Sequence, residues 1–211
     1  MRYSVKEIFL TLQGEGGQIG RTAVFCRFAG CNLWSGQESD RSKAICSFCD
    51  TDFVGMNGSR GGRFEDTHAL ADTIEEIWGN RDYNQRFVVM TGGEPLLQLD
   101  DILVRLLKKR GFYIAVETNG TLPVPDGVDW ICVSPKAGAA LVQDFGDEIK
   151  LVYPQKDLMP ENVAHLNFKT FRLQPMDGAY KAEYLQQAID YCQRHPQWRL
   201  SLQTHKLIGI P

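Results

Sequence analysis

Seven short, mainly apolar runs recur along the chain, at Thr22–Phe28, Phe87–Thr91, Phe112–Glu117, Trp130–Ser134, Ile149–Tyr153, Phe168–Leu173 and Trp198–Gln203. Runs of this length without a continuous polar face predict strands covered on both sides. Between them the period changes to that of a helix. Thr67–Gly79 places Leu70, Ala71, Ile74, Ile77 and Trp78 on one face, behind Asp66 or Thr67 as the N-terminal cap. Asp100–Arg110 repeats the pattern with Ile102, Leu103, Leu106 and Leu107 and stops at Gly111, where a residue with positive φ closes a helix without strain. A third helix is predicted from about Ala179 to Arg194, ahead of Pro196. Strands alternating with helices predict an α/β fold with a parallel sheet and right-handed crossovers. A closed eightfold barrel takes about 250 residues. The 211 residues supply too few units, so the expected architecture is a partial, open parallel βα barrel of about six to seven strands.

Polar motifs follow four of the strand-like runs: Thr91-Gly92-Gly93-Glu94-Pro95, Glu117-Thr118-Asn119-Gly120, Ser134-Pro135-Lys136 and Gln174-Pro175-Met176-Asp177. Ligands bind at the carboxyl ends of parallel strands, so these motifs are expected to converge on one rim. A loop bearing Cys31, Cys46 and Cys49 follows the first run and reaches the same rim. The whole of 1–211 is expected to form one domain, with an extended loop at 29–62 whose stretch Gly55–Gly62 holds four glycines and reads as a flexible connector. Three thiolates on a [4Fe-4S] cluster leave one iron without a protein ligand, whereas a structural zinc is normally closed by a fourth. Cys46 and Cys49 alone do not decide between them, because CxxC serves zinc and redox sites as well. Cys26, Cys132 and Cys192 fall inside strand or helix patterns and are expected to be inert core thiols.

Composition narrows the partners. With 43% hydrophobic and 23% charged residues the chain has the balance of a globular protein. A net charge of −3 without a Lys/Arg cluster argues against a nucleic-acid surface. No apolar run has the length of a membrane span, and MRYSVKEIFL lacks the apolar core of a signal peptide, so a cytoplasmic location with no membrane partner is expected. In that compartment six cysteines read as ligands and buried thiols rather than disulfides.

The chain resembles the radical S-adenosylmethionine superfamily through Cys46-Ser47-Phe48-Cys49, with an aromatic residue before the last cysteine, and through Gly92-Gly93-Glu94-Pro95. It departs from the common superfamily spacing: fourteen residues, rather than three, separate Cys31 from Cys46. That departure, Leu12-Gln13-Gly14-Glu15-Gly16 and the compact length together resemble the 7-carboxy-7-deazaguanine synthase family of the queuosine pathway.

The resemblance implies that Cys31, Cys46 and Cys49 hold a [4Fe-4S] cluster whose open iron takes the amino and carboxylate groups of S-adenosylmethionine, the source of a 5′-deoxyadenosyl radical. It implies 6-carboxy-5,6,7,8-tetrahydropterin as substrate, ring contraction with loss of ammonia, a regenerated cofactor, a requirement for Mg²⁺, a homodimer, and a flavodoxin- or ferredoxin-type electron donor. Phe48, Cys49, Asp50, Gly93, Ser134, Pro135, Lys136 and Gln174, Pro175, Met176 and Asp177 are the residues expected around the cofactor, with Gly92 and Gly93 beside its aminoacyl part. Leu12, Gln13, Gly14, Glu15, Arg27, Thr91 and Pro211 are expected around the substrate, Glu15 and Arg27 as the catalytic set, and Thr51 on magnesium. Side-chain chemistry agrees: Gln13 and Glu15, with the backbone of Leu12 and Gly14, match a guanidine-like pterin edge, and Arg27 forks onto a carboxylate. The residues alone leave Gln13 and Glu15 as ordinary loop positions, Arg27 as a surface strand residue and Thr51 as a turn former. Glu117 and Asn119 stay open between a polar wall and a strand-end turn. His205, Lys206 and the end of the chain at Pro211 follow the last strand and are expected to close the site. Two alternatives remain: an activase acting on a protein partner, and a zinc-binding module with His68 or Asp50 as fourth ligand.

Overall fold

A computed structural model gives the structure of the chain and describes residues 2–211. Its strands are β1 (Tyr3–Leu12), β2 (Thr22–Phe28), β3 (Gly62–Phe64), β4 (Phe87–Gly92), β5 (Tyr113–Thr118), β6 (Trp130–Val133), β7 (Phe145–Tyr153), β8 (Asn167–Pro175) and β9 (Trp198–Leu200). Four α-helices, α1 (Thr67–Trp78), α2 (Asp101–Lys109), α3 (Lys181–Arg194) and α4 (Thr204–Ile208), complete the pattern. One open sheet holds all nine strands in the order β3-β1-β2-β4-β5-β6-β7-β8-β9. From β2 onward every pairing is parallel.

The three expected helices form at the expected places, but the buried face of α2 is turned from the expected one: Ile102 is exposed, and Val104 is buried beside Leu103 and Leu107. Asp66 caps α1 by accepting from the Ala69 N–H, and Asp100 caps α2 by accepting from the Leu103 N–H at 2.8 Å. Gly111, at φ 80°, ends the α2 segment. Strand alternation divides the sheet into two faces. Val24, Cys26, Phe28, Val88, Met90, Ile114 and Val116 pack against the apolar faces of α1 and α2, which include Leu70, Ile74, Leu103 and Leu107. Ile149, Leu151, Leu173, Ala188, Tyr191 and Trp198 form a second core that includes α3. The intervening residues, among them Arg27, Thr91, Glu117 and Lys150, turn to the opposite face of the sheet and line the cavity there.

The structure corrects several expectations. The sheet is mixed, because β1 and β3 join its edge antiparallel to their neighbours. β1 escapes a period-two reading because its pairing shifts between Val5 and Glu7, so its buried apolar residues run Tyr3, Val5, Ile8, with Lys6 also buried, rather than in strict alternation. The Gly55–Gly62 stretch is not a loose connector: it packs on β1, with Gly58 N–H donating to the Lys6 carbonyl at 3.0 Å and Ile8 N–H to the Ser59 carbonyl at 2.7 Å. A Cβ on Gly61 would stand 2.1 Å from the Lys6 carbonyl oxygen, so this contact requires glycine. β7 starts earlier than the apolar run, at Phe145, and β9 ends at Leu200, before the expected Gln203. The remainder of the last run leads into α4, for which no helical period was visible. Cys26 and Cys132 are fully buried thiols, whereas Cys192 on α3 is partly exposed. No described helix is long and apolar enough to cross a membrane.

Candidate active site

At the carboxyl end of the parallel strands lies a cavity of about 350 Å³. Alternation on β2 buries Cys26 among the helices and turns Arg27 inward; on β5 it does the same with Val116 and Glu117, and on β7 with Ile149 and Lys150. Leu12, Gln13, Gly14 and Glu15, at the end of β1 and in the turn beyond it, close one side of the cavity. The long loop after β2 closes another side and contributes three free thiols, Cys31, Cys46 and Cys49.

Those thiols are held by their own loop. Cys31 Sγ accepts from the Leu33 N–H at 3.4 Å, the Cys46 N–H donates to the Leu33 carbonyl at 3.4 Å, and Cys49 Sγ lies 3.9 Å from the Thr51 carbonyl. The thiol of Cys46, donating to its neighbour, pulls Cys49 down to about 6 and is itself pushed up by the same bond and by burial. Among the described residues no three His, Cys, Asp or Glu side chains form a group that could hold a single metal ion, and the three thiols share the lining of one cavity volume. Gly93 borders that volume. A Cβ there would meet the Gly30 carbonyl oxygen at 2.2 Å and Cys31 Cβ at 2.8 Å, and one on Gly92, at φ 148°, would meet the Phe28 carbonyl oxygen at 2.4 Å.

A buried ionic network forms the opposite wall. Lys150 Nζ donates to Glu15 at 2.6 Å and to Glu117 at 2.8 Å, with its side chain only 7% exposed. Burial works against the ammonium, but the two carboxylates outweigh it and raise Lys150 well above its ordinary range. Burial likewise opposes charge on Glu15, and Lys150 overcomes it, holding the carboxyl below its usual range. Glu117 also accepts from Gln13 Nε2 at 3.2 Å. Glu148, two positions before Lys150 on the same face of β7, is fixed by Arg172 at 2.9 Å and by the Gly17 N–H at 2.7 Å, which ties the turn after Glu15 to the sheet. Across the β1–β2 pair, Glu7 on β1 accepts from Nε of Arg27 on β2 at 2.8 Å, and this is the only hydrogen bond of the Arg27 guanidinium among the described residues.

The segment after β9 forms a strap over the mouth. Lys206 Nζ bridges Asp50 at 2.5 Å and Asp177 at 2.7 Å, while Gln203 Nε2 bridges Glu15 at 3.0 Å and Asp50 at 2.9 Å. Burial alone would raise Asp50, but hydrogen bonds from Gln203 and Lys206 hold it below its usual range. The Thr204 N–H donates to the Gly14 carbonyl at 2.9 Å, and His205 packs so closely that a Cβ on Gly14 would stand 2.4 Å from its Nδ1. Thr11 Oγ1 donates to the Pro211 carbonyl at 2.9 Å.

Comparison with known proteins accounts for this assembly. A model of the radical SAM superfamily matches residues 41–145. A 7-carboxy-7-deazaguanine synthase from Bordetella pertussis is 63% identical over 211 residues, with 100% of both chains covered. The protein of the same name from Bacteroides thetaiotaomicron is 40% identical over 210 residues, again with 100% of both chains covered. The chain belongs to the 7-carboxy-7-deazaguanine synthase family. Its fold agrees: the crystal structure of QueE from Escherichia coli matches with a TM-score of 0.70 at 28% identity, over 97% of this chain and 95% of that one. The architecture is therefore the open βα barrel of radical SAM enzymes, with an antiparallel edge added.

Membership of the family implies a [4Fe-4S] cluster and S-adenosylmethionine. The site fits both, because three thiols and the polar groups of the facing rim line one cavity; the space beside Gly92 and Gly93 is taken up by the Phe28 and Gly30 backbone, so these glycines are required by the packing of the loop on the strand ends. Of the residues expected around cofactor and substrate, the structure brings Leu12, Gln13, Gly14, Glu15, Arg27, Thr91, Phe48, Asp50, Thr51, Gly93, Ser134, Lys136, Gln174, Pro175, Met176, Asp177 and Pro211 to this cavity with the cysteines. Pro135 is not in its lining; it is buried, and its carbonyl accepts from Gln155 Nε2 at 3.2 Å. His68 lies exposed on α1 outside the lining, which removes it as a fourth metal ligand. Glu117 belongs to the polar wall, whereas Asn119 takes the turn role as well: its Oδ1 accepts from the Thr121 N–H at 2.9 Å and its Nδ2 donates to Asn32 at 3.0 Å. Lys150, Glu7 and Gln203 were not foreseen. A lone lysine inside the apolar run Ile149–Tyr153 was the available signal for the first.

Proposed function

We propose that the enzyme converts 6-carboxy-5,6,7,8-tetrahydropterin to 7-carboxy-7-deazaguanine with release of one ammonia, an isomerising elimination that balances without an external oxidant. The observation that carries the proposal is the opening of three thiols, an arginine fork and an acidic–amide edge into one cavity. When bound, the cluster and S-adenosylmethionine supply a 5′-deoxyadenosyl radical for hydrogen abstraction. The chain's own residues bind and orient. Glu7 engages Arg27 through Nε, which presents the terminal nitrogens to a substrate carboxylate. Glu15 is kept ionised by Lys150, so it accepts from the amino and ring N–H groups of the pterin, and the Gln13 amide extends the same edge. Each Glu15 oxygen is engaged once in the free structure, by Lys150 or by Gln203, and retains a further lone pair for the ligand.

Ser134 and Lys136 suit the ribose and carboxylate of the cofactor. Lys136 is anchored on Ser134, with its Nζ 2.6 Å from the carbonyl and 2.7 Å from the hydroxyl. Gln174, Pro175, Met176 and Asp177 suit its adenine end. Thr51 is the candidate magnesium ligand. Its neighbours Asp50 and Asp52 are already paired with Lys206 and Lys6, so the Thr51 hydroxyl is the oxygen of this turn that would hold the cation, which would supply positive charge for substrate oxygens. A flavodoxin- or ferredoxin-type donor and a homodimer complete the proposal.

The test is anaerobic purification with iron, sulfide and zinc analysis, then incubation of the reduced protein with S-adenosylmethionine and the carboxypterin. About four irons per chain together with a deazapurine product is the expected result. Stoichiometric zinc without iron would refute the reading. Cofactor cleavage without that product would refute the substrate.

A further inference from the structure

The fourteen residues between Cys31 and Cys46 fold into a compact unit with a 3-10 turn at Glu38–Lys43, and one side chain ties that unit to the cysteine pair. Arg41 Nη1 donates to the Ser47 carbonyl at 3.0 Å and to the Cys49 carbonyl at 3.0 Å. Its remaining edge forks onto Glu38, with Nε to Oε2 at 2.7 Å and Nη2 to Oε1 at 2.5 Å. The guanidinium lies over the Trp34 ring, 4.0 Å from its centroid. Trp34 is fixed in turn: its indole N–H donates to Asp40 at 2.9 Å, and its ring meets buried Phe53 edge-on at 5.6 Å. Arg41 is thus held on two sides, by Glu38 and by the Trp34 ring, and its third direction grips the backbone of the CxxC turn.

We infer that Arg41 is a positioning residue for the cluster: it fixes the Cys46–Cys49 turn in its ligating conformation, and the long insert exists in part to carry it there. The inference rests on the cluster reading above. Loops with shorter ligand spacing hold their thiols by chain closure; here closure across fourteen residues is weak, because loop entropy grows with length. Two charge-assisted bonds to carbonyls, made by a planar group already stacked and paired, replace that constraint at low entropic cost. Glu38 balances the charge of Arg41, which assigns the effect to geometry rather than to the field at the sulfurs.

The test compares reconstituted parent, Arg41→Ala, Arg41→Lys and Glu38→Gln chains for anaerobic loss of cluster to a chelator, followed by visible absorbance and iron content, beside thermal unfolding of each metal-free chain. Arg41→Ala is expected to lose its cluster about tenfold faster than the parent, with metal-free unfolding little changed. Glu38→Gln, which keeps both carbonyl bonds, is expected within about twofold of the parent. Arg41→Lys keeps the charge without the fork and is expected between the parent and Arg41→Ala. Parent-like retention by Arg41→Ala would overturn the inference. Full rescue by Arg41→Lys would do the same, assigning the effect to charge alone, as would a fall in metal-free stability large enough to explain the whole loss. A parent chain that binds zinc and no iron would overturn the cluster reading itself, and the role with it.

Discussion

Replacing Lys150 by methionine keeps volume and removes the charge on which the polar wall depends. Lys150 is buried between Glu15 and Glu117, at 2.6 and 2.8 Å, and each of these carboxylates has a side chain 17% exposed. Breaking a buried pair from one side leaves uncompensated charge and costs about 3–5 kcal/mol. The residual exposure here favours the lower end, about 3 kcal/mol. For a chain of this size that corresponds to a fall of about 6–12 °C in Tm. The assay is urea unfolding of the metal-free chain, run for Lys150→Met, Glu117→Gln and the double variant. Removing one carboxylate relieves part of the stranded charge, so the double variant should cost less than the sum by about 1–2 kcal/mol. The pH dependence has a definite sign. In the parent, Glu15 is held below its usual range, so its contribution is present at neutral pH and lost as pH falls through its lowered value. Without Lys150, burial and the Asp50 charge raise the Glu15 carboxyl and only the Gln203 hydrogen bond opposes them. The deficit of Lys150→Met should therefore be largest at neutral pH and shrink as pH falls through about 4. A deficit below about 1 kcal/mol, or one independent of pH, would refute the reasoning.

Three other outcomes follow from the same geometry. Gly93→Ala must displace the Gly30 backbone or Cys31, because the added carbon would lie 2.2 Å from the Gly30 carbonyl oxygen; iron content after reconstitution should fall well below the parent's, and normal loading would refute the close approach. Arg27→Lys should lower kcat/KM for the carboxypterin about tenfold to a hundredfold by losing the fork while leaving cluster content unchanged; parent-like kinetics would remove Arg27 from carboxylate binding. The strap depends on Glu15, Asp50 and Asp177, all held below their ordinary values. Protection of residues 203–211 against hydrogen exchange in the metal-free chain, taken relative to the intrinsic amide rate at each pH, should stay high at neutral pH and fall only below about pH 4, and unchanged protection across that range would dissociate the strap from these carboxylates.

Much of the fold was legible because most parallel strands buried on both faces read as unbroken apolar runs, and the first two helices carried apolar stripes with Asp66, Asp100 and Gly111 at their ends, although α2 buries Val104 rather than Ile102. The edge was not. The irregular pairing of β1 between Val5 and Glu7 disrupts alternation, and the three residues of β3 are too few to show any period. Within the site, residues carried on motifs after strands were visible, because cysteines, glycines and a turn such as Gln13-Gly14-Glu15 stand out against a polar background. Lys150, Glu7 and Gln203 were not, since each acts through a partner distant in sequence. Lys150 meets Glu15 135 residues away, and Gln203 meets it 188 residues away. Such pairings depend on which strands lie side by side, which topology decides and local pattern does not.

The central claim is a pterin ring contraction driven from a three-thiol cluster, and one measurement addresses it directly: the reduced, reconstituted enzyme and its Cys46→Ala variant, each with S-adenosylmethionine and 6-carboxy-5,6,7,8-tetrahydropterin, analysed for product mass and for released ammonia. The parent should form 7-carboxy-7-deazaguanine and ammonia in equal amounts while S-adenosylmethionine is conserved, and Cys46→Ala should form neither. Absence of the deazapurine from a fully loaded parent enzyme, or equal product from the variant, would contradict the account.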